Sequence, residues 1–144
     1  MLELVQDSPL FICEQYGAAD GVESSGAIQA ANTAALAYNA GGAKAVKLFL
    51  SSSVNLKNKV TLGGTGAENF NVDFSVARPN LISGGNITSS NPAFLVEAAG
   101  SELDMPTVVC NKIGAGFKFQ NCGRSIIRNP APIRYSGYGI TLSP

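Results

Sequence analysis

Two hydrophobic periods divide the chain. Ile28, Ala31, Ala35 and Tyr38 recur near the helical repeat, with Ser24 and Ser25 before them as capping residues and Gly41-Gly42 after them. Glycine takes a left-handed conformation without a Cβ penalty, so the spacing predicts a helix over 26–39. From Val46 onward the period falls to two. Val46, Leu48 and Leu50 alternate with Lys47 and Phe49, and Val54 with Leu56 and Val60 with Leu62 repeat the pattern. Val72 and Phe74 share one strand face while Asn71 and Asp73 share the other. Short apolar groups return at Leu81-Ile82, Ile87, 94–96, Val108-Val109, 117–119 and 125–127, separated by Gly, Asn, Ser and Pro suited to turns. No second helix of comparable length interrupts them, which disfavours an alternating βαβ sheet.

Short strands at this spacing suit a β-sandwich or a parallel coil whose turns stack on one another. In a coil the strands lie about 4.8 Å apart. A repeat of roughly 20–25 residues gives about four coils from Val60 onward. Such a stack is only about 15–20 Å high, so its open end needs a cap, a partner subunit or further sequence. Leu10 to Cys13 read as a first short strand, and Gly17, Asp20 and Gly21 supply a turn. The chain divides into an arm over 1–10, ending at Pro9, and one folded domain over 11–144.

Charge narrows the partners. Ten basic residues balance ten acidic ones and only 14% of the chain is charged, so no broad attraction to nucleic acid or to an anionic membrane is built in. Balanced charge favours self-association. The N-terminus lacks the basic segment and apolar run of a signal peptide, and no later run is long enough to span a bilayer. Synthesis in a cytoplasm without membrane insertion is expected.

Cys13, Cys110 and Cys122 have neither metal-site nor redox spacing and read as small buried thiols. The chain has no histidine, which removes the usual nitrogen ligand for zinc or iron and the usual base of a nucleophilic triad. No cofactor and no metal are expected. Gly63, Gly64 and Gly66 lack the following Lys-Ser/Thr pair of a phosphate loop and read as turns.

Glycoside hydrolysis needs two carboxyl groups about 5–9.5 Å apart. Asp73 and Glu97, placed on successive coils, are the candidate catalytic pair; the same residues suit solvated strand faces. Lys118, Arg124, Arg128 and Arg134 make the C-terminal third basic, either as a solvated face or as an anionic-polymer site. Phe70, Phe74, Phe94, Phe117 and Phe119 are expected to stack inside the coils. Tyr135 and Tyr138 reach solvent and contact a sugar face or a subunit. Lys118, Arg124, Arg134, Tyr135 and Tyr138 are the candidate binding set.

The series Tyr16-Gly17-Ala18, Asp20-Gly21-Val22, Ala27-Ile28-Gln29-Ala30-Ala31, Gly41-Gly42, a strand through Leu48 to Leu50, and Val60-Thr61-Leu62 before Gly63-Gly64-Thr65-Gly66 carries a resemblance. It resembles the N-terminal portion of the pectate-lyase-like right-handed β-helix superfamily, in the forms used by bacteriophage tailspikes and depolymerases. The match covers residues 11–66, and the later coils follow by general pattern. Where that family has an acidic pair after Asp-Gly, this chain has Ser24-Ser25-Gly26. The resemblance implies an all-β fold, a short right-handed parallel β-helix (β-solenoid) with one N-terminal capping helix, with Ile28, Ala31 and Ala35 closing the apolar end of the coil. It further implies a viral virion-structural or host-attachment fragment, made in the bacterial host cytoplasm, associating as a trimer and binding a bacterial surface polysaccharide. The alternative is a polysaccharide depolymerase, either glycoside hydrolase or polysaccharide lyase.

Overall fold

The computed structural model describes residues 9–144. The expected arm over 1–10 lies outside the described residues apart from Pro9 and Leu10, and Leu10 already opens the first strand, β1 (Leu10–Ile12). A 3-10 turn at Cys13–Tyr16 leads toward helix α1 (Ser25–Asn39). Then follow β2 (Val46–Phe49), β3 (Asn55–Leu56), β4 (Val60–Glu68), β5 (Phe70–Asp73), β6 (Asn80–Leu81) and β7 (Phe94–Ala99). The last six are β8 (Glu102–Asp104), β9 (Thr107–Val109), β10 (Phe117–Gln120), β11 (Ile126–Arg128), β12 (Ala131–Ile133) and β13 (Ile140–Ser143).

These strands form three parallel sheets: sheet A in the order β1-β2-β5-β8-β11, sheet B as β12-β9-β6-β3 and sheet C as β13-β10-β7-β4. From β2 onward the chain visits A, B and C in turn four times, and each strand from β5 on pairs with its counterpart one pass earlier. This order is consistent with a parallel solenoid and not with a sandwich of antiparallel sheets. The four passes begin at Val46, not at Val60 as the repeat length suggested. Their lengths differ because connections are inserted: Leu48 pairs with Val72, whereas Val60 pairs with Phe94 across the long segment 82–93.

The period of two decides what is inside. In β5, Phe70 and Val72 are buried while Asn71 and Asp73 are partly exposed. In sheet C, Val60, Phe94, Phe117 and Ile140 form one inward ladder, and Leu62, Val96, Phe119 and Leu142 the next. The Phe94 ring lies 5.8 Å from Phe117, nearly parallel, and 5.9 Å edge-on from Phe74. Residues of all three sheets join one apolar cluster, to which α1 adds Ile28, Ala31 and Ala35. The phenylalanine core is thus as expected, and Ile28, Ala31 and Ala35 are buried against it. At Gly63, φ is +80° and a Cβ would lie 2.1 Å from the Glu97 carbonyl oxygen, so only glycine lets β4 approach β7 here before the irregular register between Gly63 and Glu68.

The two ends of the stack differ. At the first pass, every sheet edge is covered. β1 pairs with β2, a bridge joins Glu23 to Asn55, and α1 supplies side-chain amides to β4. Asn32 Nδ2 donates to Gly63 O at 3.0 Å while Gly63 N donates to Asn32 Oδ1 at 2.8 Å. Gln29 does the same for Thr61, its Oε1 accepting from Thr61 N at 2.9 Å, and Asn39 Nδ2 donates to Glu68 O at 2.8 Å. One helix face thereby takes the place of a neighbouring strand. The helix start also departs from expectation. The Ser24 hydroxyl donates to Val22 O, and neither serine caps through its side chain; the Glu23 carboxylate accepts from Ser25 N at 3.2 Å, adding negative charge at the helix N-terminus.

At the fourth pass, β11, β12 and β13 have no neighbour on their far side among the described residues. Ile140 and Leu142, at inward positions, are 38% and 74% exposed for want of a next rung. β12 was not legible because prolines flank and occupy it. Ala131 N bonds to Pro106 O and Ile133 O accepts from Cys110 N, so Ala131 and Ile133 face β9 and the missing N–H of Pro132 falls on the open edge, where it costs no ladder bond.

The serine run 51–53 is a pinned turn. Glu14 Oε2 accepts from Ser52 Oγ at 2.7 Å, Ser52 N at 2.9 Å and Ser51 N at 3.1 Å, while Asp20 Oδ1 accepts from Ser53 N at 2.6 Å. Burial pushes the Glu14 carboxyl up, but these donors, the Ser52 hydroxyl foremost, outweigh it and hold the group below its ordinary 4.5. A carboxyl lowered on folding contributes stability that is complete above its unfolded pKa and is lost as pH falls through the folded one. Unfolding midpoints measured from pH 7 downward should fall more steeply below about 4.5 for the native chain than for Glu14→Gln. Parallel acid limbs would show that the anchor adds nothing.

Candidate functional site

The four connections from sheet B to sheet C, residues 57–59, 82–93, 110–116 and 134–139, stack beside one another because the passes stack. Side chains and backbone stitch them together. Lys59 N donates to Asn86 Oδ1 at 2.7 Å, Ala115 N to Thr88 O at 3.1 Å, and Ser136 N to Gly114 O at 3.0 Å. Gly114 permits that closeness, since a Cβ there would meet Thr88 O at 2.6 Å.

Two hollows open on this face. One, of about 460 Å³, is lined by Pro132, Tyr135, Gly137, Tyr138, Gly139 and Ile140. The other, of about 240 Å³, is lined by Ser89, Ser90, Pro92, Ala115, Phe117, Lys118, Tyr138 and Thr141. Tyr138 is 81% exposed and forms a wall of both. The structure therefore brings Lys118, Tyr135 and Tyr138 together. An open aromatic ring beside hydroxyls and an ammonium can stack on a pyranose face while hydrogen-bonding its hydroxyls. Neither hollow is lined by a carboxylate.

The other predicted residues lie apart. Arg124 pairs with Glu68 at 3.6 Å, at the junction of sheets C and A. Arg128 bridges Glu102 at 3.4 Å and Asp104 at 3.2 Å on the outer face of sheet A, and the Asp104 bond foremost holds its guanidinium above the ordinary value. Arg134 is exposed in the connection that carries Tyr135, with its carbonyl accepting from Lys112 N at 2.6 Å.

Asp73 and Glu97 are not on successive coils. They belong to one pass and to different sheets, A and C, because β5 and β7 are separated by β6 alone. Asp73 accepts from the Ser75 hydroxyl at 2.7 Å and has Asp104 as its ladder neighbour. Glu97 is only 7% exposed and accepts from Gln120 Nε2 at 3.2 Å and Asn121 Nδ2 at 3.1 Å. Two neutral amides satisfy this carboxylate without a cation.

The three cysteines are free. Burial pushes the Cys13 thiol up to about 12, helped by the Glu14 charge, and Cys110 up to about 11; Cys122 is raised by burial too. All three stay protonated at neutral pH and are poor nucleophiles. Among the described residues no cluster of three or more His, Cys, Asp or Glu has a metal-binding arrangement, and no helix is long and apolar enough to cross a membrane.

Sequence reasoning missed Ser89, Ser90 and Thr141, which reach the Tyr138 hollow from two different passes, and missed Lys57, Lys59 and Lys112 on the same series of connections. Their only signal was a shared position in the repeat, which unequal pass lengths concealed. Comparison of the chain with protein-family models, with curated proteins and with solved structures finds no match in any of the three.

Proposed function

We propose that the chain is a non-catalytic polysaccharide-binding module, a virion-structural or host-attachment part built as a short right-handed parallel β-helix capped by α1. One observation carries the binding part of this reading. The hollows that share Tyr138 combine aromatic, hydroxyl and ammonium groups, and no carboxylate lines them. Sugar hydrolysis requires a paired acid and base at the scissile bond. The carboxylates considered for that task are engaged elsewhere, Asp73 with Ser75, and Glu97 with Gln120 and Asn121. The open fourth pass, with Leu142 and Ile140 exposed, supports self-association; a trimer is the count that the tailspike resemblance implies.

The test is a panel of bacterial capsular and O-antigen polysaccharides, with both retained binding and new reducing or unsaturated ends measured. Binding without new ends is expected. Tyr138→Ala should weaken it roughly five- to tenfold, the loss of one aromatic stacking contact worth about 1 kcal/mol. Cleavage abolished by Asp73→Asn or Glu97→Gln would replace this reading with a depolymerase.

A further inference from the structure

We infer that the polysaccharide taken by this face is a polyanion, with carboxylate, phosphate or sulfate groups recurring along it, lying across the stacked B-to-C connections in the direction in which the passes stack. The inference rests on the binding reading above and specifies its ligand. Formal charge is zero overall, and among the described residues the one carboxylate seen against these connections is Glu23, which accepts from Lys57 N at 3.5 Å. The four connections contain Lys57, Lys59, Lys112 and Arg134 and not one Asp or Glu, and Lys118 follows in β10. Residues 105–144 contain no Asp or Glu. Glu102 and Asp104 of sheet A serve Arg128, and Glu68 serves Arg124; none of the five cations on this face has an ion-pair partner among the described residues.

Their arrangement fits a linear polymer better than a single small anion. Lys59 lies in the first pass, Lys112 and Lys118 in the third and Arg134 in the fourth. The Lys112 N–H bonds the Arg134 carbonyl, which fixes these two on consecutive rungs. Rungs recur about every 4.8 Å, comparable with the length of one sugar residue. The cations are therefore distributed along an axis, not convergent on a point, and unpaired like charges in a row attract a recurring opposite charge. Lys112 and Arg134 both sit at positive φ, 59° and 54°. The hydroxyls of Ser89, Ser90 and Thr141 favour a glycan over a nucleic acid, and the exposed tyrosines of this face, Tyr135 and Tyr138, belong to one connection and provide no series of platforms for successive bases.

The purified 144-residue protein should be titrated with polygalacturonate, hyaluronan and polysialate, each beside its carboxyl-esterified form, which keeps the backbone and removes the charge. At about 20 mM salt at least one free acid should bind ten times or more tighter than its ester, and raising the salt to about 300 mM should weaken it at least tenfold as the screening length shrinks. The double variant Lys112→Asn/Arg134→Asn should lose about tenfold; asparagine tolerates positive φ, so the variant keeps the backbone. Lys47→Asn on sheet A should bind as the native chain does, and unchanged circular dichroism and unfolding midpoints certify that each variant is folded. Equal binding of acid and ester overturns the inference and leaves the carbohydrate reading standing, as does salt-sensitive binding that the double variant does not weaken. Tighter binding of a single-stranded oligonucleotide than of any glycan, or binding of no glycan at all, overturns both.

Discussion

Phe94→Ala is expected to destabilise the protein by about 3–5 kcal/mol, the usual range for emptying a buried aromatic site. Domains of this size are stable by only about 5–15 kcal/mol, so the variant stands close to unfolding at room temperature. The position is severe for three reasons. Phe94 is fully buried, it belongs to a strand with neighbours on both sides, and its ring touches Phe74 edge-on and Phe117 face-on. Truncation removes both aromatic contacts and leaves a void that two flanking passes cannot close without breaking register. Phe94→Leu keeps most of the volume and should cost far less, about 1–2 kcal/mol. Denaturant unfolding of the pair checks this; a loss under about 1 kcal/mol for the alanine variant would contradict a close-packed ladder.

Asn32→Leu should cost about 2–5 kcal/mol although it makes the helix more apolar. The Asn32 amide is 1% exposed and satisfies both the N–H and the C=O of Gly63; leucine has the right bulk and neither function. Each buried backbone group left without a partner costs about 1–3 kcal/mol. Gln29→Leu, at a partly exposed position where water can replace the amide, should cost under about 1 kcal/mol. Hydrogen exchange locates the effect: the Gly63 amide should lose protection in Asn32→Leu before the amides of β7 do. Equal stability of native and Asn32→Leu proteins would mean that the helix holds β4 by apolar packing alone.

The contrast between Asn32 and Ile28 shows what a sequence can display. Ile28, Ala31 and Ala35 announce themselves because burial by the hydrophobic effect repeats with the helical period. Asn32 lies on the same buried face and breaks the pattern, since its function depends on meeting a particular strand edge and not on leaving water. The strands of β4, β5 and β7 were visible from alternation, whereas β12 was hidden by prolines whose harmlessness depends on which edge they face. At the candidate site, Tyr135, Tyr138 and Lys118 were legible as amphipathic or charged groups near the C-terminus. Ser89 and Lys59 were not, because the closeness of Ser89 to Tyr138 and of Lys59 to Asn86 comes from pass register, and the irregular connection over 82–93 displaces that register. The Asp73 and Glu97 pair failed for the same reason: carboxylates one repeat apart would be neighbours, but these two are less than one repeat apart.

The closed first pass and open fourth pass give the molecule a direction in time as well as in space. Every strand from β5 onward pairs with one laid down a single pass earlier, so each new rung needs only the finished rung beneath it as a template. Because α1 and the sheet edges it covers leave the ribosome first, the growing stack has a completed floor while its upper strands are still being synthesised. Adding a rung then requires only the closure of a short loop onto the rung already in place. β13, whose Leu142 has a neighbouring strand on one side only among the described residues, is the least supported rung of the stack.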